Sequence, residues 1–213
     1  MLIDEPAKAT SESRSDRKRK VILEAATRLF LEKGFDGTSM DDVATLAMVS
    51  KPTVYKYFED KNKLYTAIVR STVDNVDQVV RIVSSSMATR GNAEKVLTAL
   101  AQEFLTVLMK PDLLRLRRMI IANADRFPEV ARSWYENGFG RVLATLAGVF
   151  ADLTNRGYLR HLDPQMAAEH FVGLLLWIPL NKAMFGAEAA LTDQETARLA
   201  KSAVRTFLNG YRA

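Results

Sequence analysis

The sequence predicts an all-α fold of about nine helices, with a small N-terminal part and a larger C-terminal part. Apolar residues recur at helical spacing along most of the 213 residues. Breaker residues such as Gly34, Pro128, Gly157 and Pro164 separate these periodic segments. No stretch has the alternating, β-branched pattern with regular turns that a sheet requires.

The N-terminal part opens with two helices separated by a short break. Ile22 and Phe30 lie on the apolar face of the first helix, which we expect to end at Gly34. Thr38 or Ser39 caps the second helix, because a hydroxyl at that position accepts a hydrogen bond from a free backbone N–H group. Two aspartates follow, and their charge suits the positive end of the helix dipole.

A third, short helix follows after only a few residues, which is the spacing of a helix-turn-helix. Ser50 caps this helix, and Pro52 fits its first turn, where a missing N–H group is harmless. Its surface carries two lysines and two tyrosines, which suit a phosphate backbone better than a protein core. Asp60 then caps a fourth helix that we expect to reach Val83.

Five further helices are predicted after a polar break at residues 84–92. They span residues 93–109, 112–123, 128–155, 164–185 and 192–211. Residues 1–15 are polar with mixed charge, and we expect them to be a disordered tail.

The composition excludes some kinds of site and leaves nucleic-acid binding possible. The chain has no cysteine, which excludes disulfides and thiolate metal sites. Its net charge of +5 and pI of 9.4 are compatible with nucleic acid without requiring it. The longest apolar run, residues 171–180, is shorter than the ~20 residues that span a bilayer. We therefore expect no membrane segment and a cytoplasmic location.

The sequence offers no pattern for catalysis. His161 and His170 are not spaced as metal ligands and have no carboxylate cluster nearby. There is no phosphate loop, no dinucleotide glycine motif and no credible pair of nucleophile and base. We expect no enzymatic activity, no cofactor and no metal.

Three features favour DNA binding over a three-helix bundle with a merely solvated face. Four basic residues, 17–20, precede the first predicted helix, where an arm can reach phosphates or the minor groove. Hydroxyl groups at Thr38, at Thr53 and on two tyrosines can donate to phosphate oxygens. Lys61 opposes the dipole of the fourth helix, and a phosphate partner explains that position better than local stability does.

These residues also resemble a known family. The DNA-binding domain of TetR-type transcriptional regulators is similar at Gly34-Phe35, Thr38, Val43-Ala44, Val49-Ser50, Thr53-Val54-Tyr55, Tyr57-Phe58, Asp60-Lys61 and Leu64. The resemblance implies a DNA-binding domain over residues 16–62 and a helical regulatory and dimerisation domain over residues 63–213. It also implies a repressor that binds a palindromic operator as a homodimer.

One position departs from the family pattern, which has glycine in the turn before the third helix. Here the phrase is Ala47-Met48-Val49-Ser50. A residue other than glycine at positive φ costs of order 1 kcal/mol. Either the turn is adjusted or packing compensates.

The resemblance and the pattern together give a set of expected DNA contacts. They are Arg17, Lys18, Thr38, Ser50, Lys51, Pro52, Thr53, Tyr55, Lys56, Tyr57 and Lys61. By resemblance, Thr38, Tyr57 and Lys61 clamp the backbone. Lys51 and Thr53 are the candidates for contact with base edges, since lysine suits guanine acceptors and threonine suits a thymine methyl.

The C-terminal part is similar to the AefR group of these regulators in the phrases at residues 126–131, 134–136, 157–159 and 163–164. The resemblance implies a ligand-sensing domain and a homodimer formed through the two C-terminal helices. Bulky apolar and a few polar residues predict a pocket for a small hydrophobic or aromatic effector, although such residues also build ordinary core. The pocket residues are Met119, Asn123, Phe127, Trp134, Phe139 and Trp177.

Two other functions stay open from the sequence. One is a DNA binder that is controlled by a protein partner or that activates transcription. The other is a helical carrier of small molecules whose DNA-binding part is vestigial.

Overall fold

The computed structural model describes residues 13–73, 80–81, 93–161, 163–186 and 191–213. Its elements are α1 (Arg14–Lys33), α2 (Met40–Leu46), α3 (Lys51–Tyr57), α4 (Lys61–Val73), α5 (Ala93–Leu108), α6 (Pro111–Ala122), α7 (Pro128–Trp134), a π-helical segment (Tyr135–Gly140), α8 (Arg141–Asn155), α9 (Pro164–Met184) and α10 (Asp193–Tyr211). The all-α prediction is confirmed, and each predicted helical segment contains helix. The chain forms two compact units, Met1–Ile68 and Val69–Ala213, called here the head and the regulatory unit.

The helix α1 begins earlier than the sequence pattern indicated. Ser13 is its N-cap, and the Ser13 hydroxyl accepts a hydrogen bond from the Asp16 backbone N–H at 3.1 Å. Residues 14 and 15, predicted to belong to a disordered tail, are therefore helical, and residues 1–12 lie outside the described part. The predicted basic arm at residues 17–20 is wrong for the same reason, since these side chains lie exposed on the first turns of α1.

Three aromatic rings form the centre of the head. The ring centroids of Phe30 and Phe35 lie 5.7 Å apart, and the Tyr65 ring lies 6.2 Å and 5.4 Å from them. Tyr65 is buried, and this burial raises the pKa of its hydroxyl to about 12. Because Tyr65 lies on α4 and completes this cluster, the head extends to Ile68, beyond the predicted boundary at residue 62.

Local hydrogen bonds set the ends of the short helices in the head. Ser39 and Asp42 form a reciprocal capping box at the start of α2. Asp60 caps α4 as predicted, since its carboxylate accepts from the Lys63 backbone N–H at 2.8 Å. The predicted continuation of this helix to Val83 and the break at residues 84–92 lie largely outside the described residues.

The turn between α2 and α3 keeps the geometry that favours glycine. Met48 has φ +52°, and it is the one non-glycine residue with positive φ in the described ranges. Its side chain is 91% exposed, so packing does not compensate for the strain. The backbone N–H of Val49 donates to the Ala44 carbonyl at 3.0 Å, which closes the turn.

The regulatory unit is built around a layered helical core. The helix α9 packs against α8 and α10, and α5 packs against α10. The rings of Phe150, Phe171 and Phe207 meet at centroid distances of 5.0 to 5.5 Å where α8, α9 and α10 converge. An isolated antiparallel bridge joins Leu159, in the segment after α8, to Arg212 beyond α10.

The predicted single helix over residues 128–155 is divided in the structure. Residues 135–140 form a π-helical segment between α7 and α8, with one extra residue in the turn. No side chain of α7 is fully buried, whereas α8 buries Leu146 and Phe150 completely. The α7 helix is therefore much less firmly held by packing than α8.

Replacing Met48 by glycine should stabilise the head by about 1 kcal/mol, because glycine adopts positive φ without steric strain. The measurement is the free energy of unfolding from a chemical denaturation curve. Met48→Ala is the matched control, since alanine removes the exposed side chain but keeps the strain. If Met48→Ala stabilises the protein as much as Met48→Gly does, strain at φ is not the cause.

Candidate nucleic-acid interface

The helix α3 presents most of its surface to solvent. Val54 is the one fully buried residue of its seven, and α3 packs against α2. Lys51, Pro52, Tyr55 and Lys56 are exposed. A short helix with one buried anchor and a basic outer face has the form of a recognition helix in a helix-turn-helix.

Two hydroxyl groups lie together at the start of α3. Ser50 is the N-cap residue as predicted, but its side chain makes no capping bond to the backbone. The Ser50 Oγ instead lies 2.7 Å from the Thr53 Oγ1. Each oxygen retains acceptor capacity, and the hydroxyl that accepts this hydrogen bond keeps its own proton for a base edge or a phosphate.

Lys51 is held in an ion pair with Asp41 of α2. The Lys51 Nζ lies 2.8 Å from the nearer carboxylate oxygen, with both side chains more than half exposed. The hydrogen bond to Asp41 raises the pKa of the Lys51 amine. From the sequence, Asp41 is expected only to favour the dipole of α2, because the pattern does not show which lysine its carboxylate contacts across the turn.

Thr38 does not present its hydroxyl as predicted. The residue is buried with 3% exposure, and its Oγ1 donates to the Gly34 carbonyl at 2.9 Å. Its hydrogen is therefore used to fix the turn between α1 and α2. The expected role of this hydroxyl as a phosphate donor is wrong for this conformation.

The two other expected backbone clamps are also fixed inside the head. The Tyr57 hydroxyl lies 3.2 Å from the Ser15 Oγ, which joins the end of α3 to the start of α1. The Lys61 Nζ donates to the Asp36 carbonyl at 3.3 Å and lies 4.5 Å from the Phe35 ring centroid. Local contacts thus account for part of the placement of Lys61, which the sequence had attributed to phosphate alone.

The Tyr57–Ser15 contact brings basic residues on α1 close to the end of α3. Arg17 and Lys18 are exposed on α1, two and three residues after Ser15. The guanidinium of Arg19 lies 5.3 Å from the Phe58 ring centroid, a contact that the sequence did not predict. The basic start of α1 and the exposed face of α3 therefore belong to one end of the head.

The residues of the predicted effector pocket do not share one environment. Met119 is buried, and its carbonyl accepts from the Asn123 side-chain amide at 2.8 Å. Phe127 is half-buried at the start of α7. Trp134 and Phe139 are half-buried as well.

Trp177 does not fit the predicted pocket, because it is 69% exposed on α9. Arg117 of α6, which the sequence did not single out, lies close to both Trp134 and Phe139. The Arg117 guanidinium carbon is 5.3 Å from the first ring centroid and 5.9 Å from the second. The sequence signal for Arg117 is a charged residue set among the apolar positions of α6.

The outer face of α9 is apolar and exposed. Leu174, Trp177 and Ile178 of α9, and Phe185 directly after it, are between 41% and 84% exposed, while Leu176 on the other side is buried. None of the helices in the described ranges combines the length and hydropathy needed to cross a bilayer. Within the same ranges, no cluster of three or more His, Asp or Glu side chains could hold a metal ion.

Both units match family models. Residues 95–213, more than half of the chain, match the C-terminal domain of AefR-like transcriptional repressors. Residues 22–68 match the bacterial regulatory proteins of the tetR family. The second match runs from within α1 to within α4.

Solved structures agree with these matches. A TetR-family regulator from Mesorhizobium loti MAFF303099 is 46% identical, with a TM-score of 0.87 over 95% of this chain and 100% of that one. The flavonoid-responsive regulator FrrA is 27% identical, with a TM-score of 0.72 over 92% of this chain and 97% of that one.

The transcriptional activator FasR of Mycolicibacterium smegmatis is 39% identical over 66 residues, which are 31% of this chain and 30% of FasR. The chain thus matches under a third of FasR's length. Members of the matched family are DNA-binding regulators rather than enzymes, and they act as dimers. The chain belongs to the TetR family of bacterial transcriptional regulators.

Proposed function

We propose that the protein is a homodimeric repressor that binds a palindromic operator and releases it when a small molecule binds the regulatory unit. The observation that carries this proposal is the exposed basic face of α3, a helix in which Val54 is the one fully buried residue. In a dimer, two such helices enter successive major grooves about 34 Å apart. The proposed place of action is the cytoplasm, because that compartment holds the DNA of a bacterial cell.

The roles on DNA follow from exposure and chemistry. Lys51 and Thr53 are proposed to read base edges, with Ser50 positioning the Thr53 hydroxyl. Thr38 is left out of the proposed contacts because its hydroxyl is buried. Phosphate contacts are proposed for Arg17, Lys18, Tyr55, Lys56, Tyr57 and Lys61. Pro52 has no N–H group to donate, so its exposed ring is proposed to pack near the DNA without a hydrogen bond.

The outer face of α9 is the proposed centre of the dimer interface, with α10 beside it. Several large apolar side chains on one helix face are costly to leave in water. The outer face of α10 is polar, with Lys201 and Arg205 exposed. This combination suits an interface with an apolar centre and a polar rim.

The sign of regulation and the ligand response are proposed from similarity. The matched C-terminal model is that of a repressor, whereas FasR is an activator, so activation is the second candidate. FrrA responds to flavonoids, and this supports an aromatic effector for the present protein. Effector and operator then weaken each other's binding by the same factor, because the coupling is a shared free energy.

The direct test selects binding sequences from a random pool of duplex DNA and measures affinity for the selected site against salt. A repressor of this kind should yield a two-fold symmetric sequence and an affinity that falls steeply with salt. A carrier protein with a vestigial head should select nothing. An asymmetric selected site would contradict the palindromic operator.

Removing Lys51 and removing Lys56 should weaken DNA binding in two different ways. Lys51→Ala is expected to relax the sequence preference at one or two operator positions, because Lys51 is assigned to a base edge. Lys56→Ala is expected to weaken all sequences alike and to lower the salt slope by about one. Lys95→Ala, an exposed lysine on α5, is the control. Identical effects of Lys51→Ala and Lys56→Ala would contradict these roles.

Asp41→Asn should tighten binding to DNA about three- to ten-fold with little regard to sequence. The substitution removes a negative charge close to the DNA-facing side and frees Lys51 from its ion pair. The measurement is affinity for the selected site and for a scrambled duplex. Asp112→Asn is the matched control, since Asp112 is also exposed and paired, with Arg115 on α6. Unchanged affinity for both duplexes would mean that Asp41 lies away from the DNA.

Ile178→Asp should dissociate the dimer, raising its dissociation constant about 30-fold or more, because the charge enters the interface twice. Sedimentation velocity over a concentration series measures the effect. Ile121→Asp on α6 is the matched control, since Ile121 and Ile178 are each 61% exposed. A dimer that is equally stable with either substitution would exclude the outer face of α9 as the interface.

A further inference from the structure

Arg117 is a half-buried cation that lies close to two aromatic rings. Its guanidinium lies within cation–π distance of both Trp134 and Phe139. Burial lowers the pKa of Arg117, which reflects the loss of water around its charge. In the described part of the chain, no carboxylate or carbonyl lies within bonding distance of this guanidinium.

The two neighbouring arginines of α6 each have a hydrogen-bond acceptor within the chain. Arg115 forms an ion pair with Asp112 at 3.2 Å, and it is exposed. Arg118 donates to the Ala183 carbonyl at 2.7 Å. Arg117 is thus the member of this group that is half-buried and has no hydrogen-bond acceptor inside the described residues.

The contacts within the chain do not fully compensate for the burial of the Arg117 charge. A cation that loses its hydration needs a hydrogen-bonded anion, and the faces of two rings replace only part of the lost solvation. A guanidinium presents its donors as a planar fork that matches a carboxylate or a similar oxyanion. The chemistry of the cluster therefore points to an anion that comes from outside the chain.

The backbone that carries the two rings is also unusual. Trp134 ends α7, which has no fully buried side chain, and Phe139 lies in the π-helical segment that follows. Such π-helical turns occur frequently at functional sites. A weakly packed helix joined to an irregular turn can move aside for a ligand at a small cost in packing.

We propose that Arg117, Trp134 and Phe139 form the anion-recognising part of an effector site, and that the effector is an aromatic organic anion. The guanidinium binds the oxyanion, and the two rings stack against the aromatic part of the ligand. This proposal rests on the proposed effector-responsive function and deepens it by giving the chemical class of the effector.

The test uses a matched pair of fluorescent probes. The anion 1-anilinonaphthalene-8-sulfonate and neutral N-phenyl-1-naphthylamine share one ring framework and differ in the sulfonate. The chain has two tryptophans, so Trp177→Phe leaves Trp134 as the only tryptophan donor for energy transfer to a bound probe. Because Trp177 lies on the proposed dimer face, sedimentation velocity verifies that this variant keeps the oligomeric state of the parent. Titration with each probe then gives its affinity at Trp134.

In the Trp177→Phe background, Arg117→Gln should weaken binding of the sulfonate about ten-fold or more, and binding of the neutral probe less than about two-fold. Arg115→Gln is the matched control on the same helix and should change neither affinity. Arg117→Met keeps the apolar stem and replaces Arg117→Gln if the latter does not fold. Thermal unfolding verifies each variant.

Three results would overturn the proposal. They are an absence of energy transfer from Trp134 to the sulfonate, an unchanged sulfonate affinity on removal of the guanidinium, and an equal loss of affinity for both probes. The last result would mean that Arg117 only supports packing.

Operator binding is measured separately, so that the two proposals can fail independently. If the sulfonate binds through Arg117 but leaves operator affinity unchanged, the site stands and the effector response in the proposed function is wrong. If the sulfonate releases operator equally from the parent and from Arg117→Gln, the response stands and the proposed anion site is wrong.

Discussion

A helix of seven residues cannot hold its shape alone in water, so α3 depends on the side chain that anchors it. Val54 is fully buried, and Phe58 directly after the helix is buried as well. These two side chains use only the inner face of α3. Because packing needs so little of the helix, its lysines and hydroxyl groups stay available for DNA. The core of Phe30, Phe35 and Tyr65 in turn provides the rigid head on which this short helix is mounted.

Features with a local chemical cause could be predicted from the sequence. The Asp60 cap depends on a carboxylate and the backbone within three residues of it. The register of the resemblance identified Met48 as a position that favours positive φ, and of the two expectations, an adjusted turn or compensating packing, neither is found. Features that depend on contacts between elements could not be predicted. The burial of Thr38 depends on where the Gly34 carbonyl points, and the Lys51–Asp41 pair depends on how α2 and α3 pack.

In the regulatory unit, the sequence predicts even less about the surroundings of individual side chains. Residue type alone selects large aromatic side chains, yet Trp134 is half-buried while Trp177 is mostly exposed. Three arginines lie within four residues on α6, and the pattern does not show which has a partner. Those differences arise from the directions in which α6, α7 and α9 present their side chains. These differences can be seen only in the three-dimensional arrangement. Arg117 is therefore distinguished from its neighbours only when its surroundings are known.

The ion pair between Lys51 and Asp41 makes any contact of Lys51 with DNA an exchange of one acceptor for another. A solvated lysine that meets a phosphate displaces a condensed cation from the DNA, and salt opposes that displacement. Lys51 must first leave a carboxylate, which then attracts a cation of its own from solution. The net release of ions at Lys51 is therefore smaller than at a freely hydrated lysine. As ionic strength rises, the general attraction of the head for DNA fades faster than the part contributed by Lys51, so selectivity among sequences increases relative to overall affinity.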